Sequence, residues 1–156
     1  MNSNPALEFR RLAPDLLPGL TVFFESMIAN KDDEFFHPHP FTDVEAERLC
    51  GYAGKDLYSV AVVGGRVLAY GMLRGWDEGY AVPSLGIAVH PSARGAGLGL
   101  AFMHYLHAAA VNRGAETIRL KVYAQNTRAK TLYERLGYQS AGETAGQVLY
   151  TLAVGK

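Results

Sequence analysis

The stretch from Ser84 to Tyr123 constrains this chain more than any other. An apolar run, Ser84-Leu85-Gly86-Ile87-Ala88-Val89, leads into the turn-rich segment His90 to Gly97. A helical pattern follows over Leu98 to Asn112, with Leu98, Phe102, Tyr105, Leu106 and Ala109 on one face. Gly114 stands where a C-terminal cap glycine belongs, and Glu116 to Tyr123 is a second strand-like run. A strand, a glycine loop, a helix and a strand in that order demand a sheet with the helix packed on one face.

The loop Arg94-Gly95-Ala96-Gly97-Leu98-Gly99 has a physical use. Glycines let the backbone turn sharply, and the first N–H groups of the helix have no partner within it. Those groups and the helix dipole favour an anion, and Arg94 adds a positive charge. This is a phosphate or pyrophosphate seat. A dinucleotide fingerprint would read G-x-G-x-x-G, whereas these glycines read G-x-G-x-G, and the next strand ends without an acid for a ribose. No Gly-Lys-Ser/Thr follows, which excludes a Walker loop.

The flanking chain organises around this unit. Leu7 to Leu12 alternates like a first strand, and Pro14 to Asn30 carries apolar residues at helical spacing. Asn30 to Pro40 is polar and aromatic, and its closely spaced X-Pro steps forbid a helix. Thr42 is an N-cap with Glu45 as its capping-box partner, opening a helix to about Cys50. Asp56 to Val63 and Arg66 to Leu73 form a hairpin across Gly64-Gly65. Gly75 to Val82 is a longer connection. Asn126 caps a second helix with Ala129, Leu132, Tyr133 and Leu136 at helical spacing, stopped by Gly137, and Val148 to Val154 is the last strand. The expectation is one α/β layered domain spanning residues 1–156 on a mixed, mostly antiparallel sheet.

Composition excludes several classes. Lysines and arginines balance aspartates and glutamates at 15 each, so no basic footprint for nucleic acid is expected. The lone Cys50 cannot form an internal disulfide, and Met1 to Phe9 lacks the apolar centre of a signal peptide. No stretch approaches the roughly 18 apolar residues of a membrane span. A cytoplasmic protein is expected. His37 and His39 have no accompanying third ligand set, so no metal is expected.

Two segments together resemble one family. Arg94 to Gly99 matches the Q/R-x-x-G-x-G/A signature of the GCN5-related N-acetyltransferase (GNAT) superfamily. Asn126 to Tyr138 is similar to its second landmark, N-x-x-A-x-x-x-Y-x-x-x-G-[FY]. The resemblance implies helices on both faces of the sheet and a splay between the strands at 84–89 and 116–123. It implies acetyl-CoA as co-substrate, with pantetheine in the gap along Ile87, Ala88 and Val89. The pyrophosphate would lie on Arg94, Gly95, Ala96, Gly97, Leu98 and Gly99, with Leu100 and Asn126 as further contacts. Tyr133 would be the general acid and the Val89 amide an oxyanion donor.

The strand before the loop carries no acid, which leaves Glu78 as the nearest candidate base, with Asp77 beside it. The acceptor side is expected in the 30–41 and 75–82 segments, which hold Phe35, Phe36, His37, His39, Trp76, Glu78 and Tyr80. Aromatics beside acids and imidazoles suit the primary amine of a small molecule, an amino sugar or a nucleotide-linked amino sugar being the first choice. The rivals are a non-catalytic acyl-CoA sensor or scaffold and a protein or peptide acetyltransferase. A homodimer is a further partner to consider.

Overall fold

The computed structural model of the chain describes residues 4–34 and 36–155. Phe35, expected on the acceptor side, lies outside them. Strands β1 (Leu7–Arg11), β2 (Leu57–Val63), β3 (Arg66–Arg74), β4 (Ser84–Val89), β5 (Thr117–Tyr123), β6 (Gln139–Thr144) and β7 (Gln147–Ala153) form one sheet. Its order is β1-β2-β3-β4-β5-β7-β6, antiparallel except where β4 meets β5. Helices α1 (Leu17–Ala29) and α2 (Asp43–Cys50) cover one face, and α3 (Leu98–Asn112) and α4 (Thr127–Arg135) the other. The expected layers and mixed sheet are present.

The two faces bury two cores. On one side Phe23, Phe24 and Met27 of α1 and Leu49 of α2 meet Val60, Tyr70 and Met72. On the other Phe102, Met103 and Leu106 of α3 meet Leu73, Leu85, Ile118 and Leu120. The β2–β3 hairpin turns on Gly64 (φ 56°) and Gly65 (φ 83°), the left-handed pair that this turn requires. Thr42 caps α2 by accepting from the Glu45 amide at 3.2 Å, but the Glu45 carboxylate does not return the bond. It forks instead onto Arg48 at 2.8 and 2.6 Å.

One strand was not expected. β6 pairs with β7 at the sheet edge, joined through Ala145 (φ 53°) and Gly146 (φ 78°). All its residues, QSAGET, are exposed, so no apolar alternation marks it. Among the described residues no helix is long and apolar enough to cross a membrane.

Candidate active site

β4 and β5 share a single register pair, Ser84 with Arg119. The Arg119 amide donates to the Pro83 carbonyl at 3.0 Å, so residue 83 faces β5. The His90 amide donates to the Leu68 carbonyl of β3 at 2.8 Å, so residue 90 faces the other way. Backbone groups alternate along a strand. Residues 86, 88 and 90 therefore turn their amides to β3, while Ile87 and Val89 turn theirs to β5, beyond the last pair. The sheet opens there, with two sets of peptide groups lining one edge of the gap. Ala88, between them, directs its amide to β3 and its side chain to the α1–α2 core.

The glycine loop sits at the wide end of this gap. Pro91–Ala93 makes a turn held by His90, whose Nδ1 accepts from the Ser92 amide at 3.1 Å. Gly95 and Gly97 both have φ 84°, and Gly97 is the N-cap of α3. A side-chain atom built on either would meet nothing within 4 Å. The left-handed backbone demands glycine at these positions, and the space in front of them is open. No side chain caps α3, so the first-turn amides of Leu98, Gly99 and Leu100 have no acceptor from a capping residue. Gly95, Ala96, Gly97 and Leu100 are exposed, whereas Leu98 is buried in the core. These features fit a pyrophosphate at the helix end and an extended ligand arm in the gap.

Arg94 is exposed, and its guanidinium donates to Asp32 of the α1–α2 connection at 3.3 Å. The glycine loop is thereby tied to the segment expected to line the acceptor. Asn126 caps α4, its side chain accepting from the Ala129 amide at 3.3 Å. Beside the loop, Val89 and Leu132 come within 3.6 and 3.9 Å of the position a Gly99 Cβ would take, so β4, α3 and α4 converge.

Tyr133 lies next to this convergence with its ring in the core beside Tyr138 and Tyr150, at centroid distances of 5.7 and 6.4 Å. Burial pushes its phenol up to about 12. Its hydroxyl has no hydrogen-bond partner among the described residues. Such a phenol stays protonated at neutral pH and is not engaged elsewhere.

The expected acceptor residues divide into two groups. Phe36 and His37 roof the sheet. A Cβ on Gly86 would lie 3.0 Å from Phe36 Cε1, and His37 Nε2 is 3.0 Å from the Tyr123 hydroxyl of β5. His39 is drawn inward. Its Nδ1 is 2.8 Å from the Pro40 carbonyl, which only accepts, so Nδ1–H donates and Nε2 accepts from the Tyr70 hydroxyl at 2.8 Å. Burial lowers its pKa, and it packs in the aromatic cluster of Phe24, Phe41 and Tyr70.

Trp76, Glu78 and Tyr80 stand elsewhere. Trp76 lies under Arg113, 4.8 Å from guanidinium carbon to ring centroid, in a hollow of about 330 Å³ with Lys55, Gly79 and Tyr80. Arg113 closes the C-terminal end of α3, a 15-residue helix, which puts this group about 22 Å from the glycine loop. Glu78 is exposed there, and Asp77 accepts from the Tyr52 hydroxyl and from the Lys55 amide. Sequence position placed this connection next to β4; the tertiary structure places it at the closed end of the splay.

The sequence motifs do not include Arg119, Lys121 and Tyr123. Strand alternation would have found them, because every second residue of β5 leaves the core.

Comparison with known proteins agrees with this architecture. The family model described as acetyltransferase (GNAT) family matches residues 24–138. An acetyltransferase of Sodalis glossinidius is 33% identical over 106 residues, covering 68% of this chain and 72% of that protein. The GNAT domain of S. lividans PAT superposes with a TM-score of 0.81 at 18% identity, over 94% of this chain and 90% of that one. A GCN5-related N-acetyltransferase from Kribbella flavida gives 0.76 at 25% identity, over 95% and 98%. The chain belongs to the acetyltransferase (GNAT) family and is an N-acetyltransferase.

Proposed function

We propose that this enzyme moves an acetyl group from acetyl-CoA to the primary amine of a small molecule held on the α1–α2 side of the splay. The observation that carries the reading is the opening between β4 and β5 after Ser84 and Arg119, flanked by the uncapped start of α3 and by Tyr133. When bound, acetyl-CoA supplies a thioester, whose carbonyl carbon accepts a nucleophile and whose sulfur is a good leaving group.

Each group of the chain has a role in this reading. Ile87 and Val89 hold the pantetheine arm as an added strand would be held. The Val89 amide donates to the carbonyl oxygen as charge develops on it. The amine nitrogen forms the new C–N bond as the C–S bond breaks. Tyr133 gives its proton to the departing sulfur and regains one from water. The amine loses its surplus proton to water, because β4 carries no acid and Glu78 stands at the far end of the strand. An amino sugar remains the first acceptor to try, since Phe36, His37 and Tyr123 offer ring faces and polar edges.

Thiol release from acetyl-CoA, measured against amino sugars, amino acids, small amines and peptides, tests the proposal. Amine-dependent release with a small acceptor supports it. Tight CoA binding without release on any amine would favour a sensor, and release on peptides alone would favour a protein substrate.

A further inference from the structure

The β5 strand presents two faces. Ile118, Leu120 and Val122 enter the core under α3, so Arg119, Lys121 and Tyr123 project from the opposite face. There the apolar core under α1 and α2 takes in residues of β2 and β3 and Ala88, and among the described residues no apolar residue of β5 or β7. Phe36, beside Gly86, and His37, beside Tyr123, roof the floor beyond β4. Across that floor runs a row of paired residues: Arg74 opposite Ser84, Ser84 opposite Arg119, Arg119 opposite Thr151.

The charge on this floor is one-sided. Arg74 is turned away, donating to the Pro38 carbonyl at 3.2 Å. Arg119 and Lys121 form no ion pair among the described residues, and β4, β5 and β7 contain no aspartate or glutamate. Arg119 Nε is buried without a hydrogen-bond partner. A guanidinium cannot shed its charge, and no donor of Arg119 is paired among the described residues, so its tip is free to take an acceptor atom. The whole chain has a formal net charge of zero, so this patch is a local feature.

We infer that the amine acceptor carries, remote from its amine, an anionic group that Arg119 and Lys121 hold. The inference rests on the acyl-transfer reading and names the acceptor class within it. Arg119 marks the narrow end of the gap, and Lys121 lies two residues along, about 6.6 Å away. The anion sits at that end and the amine points outward to Val89 and Tyr133. A planar fork of donors matches a carboxylate or a phosphate monoester, so an amino acid whose reacting amine is a side-chain one remote from its carboxylate, or a small phosphorylated amine such as an amino-sugar phosphate, fits this floor.

Matched acceptor pairs test this: an amino acid against its carboxamide, and an amino-sugar phosphate against the amino sugar. In thiol-release kinetics the anionic member of one pair is expected to have the higher kcat/KM, and the pair that responds tells carboxylate from phosphate. Arg119→Gln should lower kcat/KM for that member by roughly 10- to 100-fold, the range for a charged hydrogen bond, mainly through KM. The two members should then differ by about threefold or less. Lys121→Gln, at an exposed position that poses little risk to folding, should shift the same ratio in the same direction. Calorimetric binding of the N-acetylated products in the presence of CoA gives a readout that needs no turnover. Charge-selective product binding that is lost in Arg119→Gln, without turnover of any amine, would uphold the anion subsite while sinking the acyl-transfer reading. Equal rates and equal product affinities for charged and neutral members would overturn the inference.

Discussion

Tyr133 and His39 show how much a residue's surroundings decide. Both are polar aromatics of a kind that performs acid–base chemistry. The Tyr133 phenol is held protonated by burial, and its hydroxyl is unengaged. Tyr133→Phe keeps the ring in place, so the melting temperature should stay nearly constant. The kcat should fall roughly 10²-fold while the KM for acetyl-CoA moves less. Normal turnover in that variant would remove Tyr133 from the proton path. His39 is bonded at both nitrogens inside an aromatic cluster, which suits a structural imidazole. His39→Ala is therefore expected to cost about 2–4 kcal/mol of stability, as other large-to-small core changes do. Denaturant unfolding measures this, and a variant of unchanged stability but raised acceptor KM would return His39 to the binding site.

Among the elements, the 75–83 connection has the least obvious origin. Asp56 lies just before β2, buried, and its Oδ1 accepts from the amides of Gly75, Trp76 and Asp77 at 3.1, 2.9 and 3.2 Å. One carboxylate oxygen thus ends β3 and starts the turn toward β4. Asp56→Ala leaves these donors unpaired and should lower unfolding free energy by about 1–3 kcal/mol. Hydrogen exchange should show the effect concentrated at Gly75–Asp77. Uniform loss of protection across the sheet would mean that Asp56 supports the fold in another way. The glycine loop behaves differently. Gly97 needs its left-handed backbone more than space, so Gly97→Val strains the turn itself and would confound a test of phosphate binding with a change in folding.

At the level of the whole molecule, two half-buried histidines link stability to pH. Burial lowers the pKa of His39, and burial followed by the nearby His104 lowers that of His107 to about 4. Both take up a proton less readily in the folded protein than in the unfolded chain, where they protonate near the ordinary value of about 6.5. Below that value the unfolded state binds more protons, so stability falls as pH drops from about 6.5 toward 4. The Asp15, Glu45 and Asp77 carboxylates have lowered pKa values and lose their contribution only further down, below the usual carboxylate range. Melting temperatures at pH 7.5, 6.5, 5.5 and 4.5 should decline over the last two steps, and His107→Gln should flatten the slope. A flat profile down to pH 4.5 in the unmodified protein would contradict this assignment.

The parts legible in the sequence are those where local chemistry and tertiary need coincide. Gly95 and Gly97 are readable because only glycine tolerates their backbone, and Asn126 because its side chain meets the amide of its own first turn. The periodicity of α3 and α4 and the Gly64-Gly65 turn likewise carry their own instructions. Polar β6 carries none, since an exposed edge strand has no buried face to set a period. The site is split in the same way. The glycine loop and Tyr133, proposed for it, belong to continuous motifs. The distance of Trp76 and Glu78 from the loop, the inward turn of His39 and the meeting of His37 with Tyr123 depend on how strands stack, which linear proximity does not encode. Arg119 is the sharpest case: an ordinary β5 residue in the chain, it becomes an unpaired cation at the apex of the gap only because β4 pairs with β5 at that single residue and then diverges.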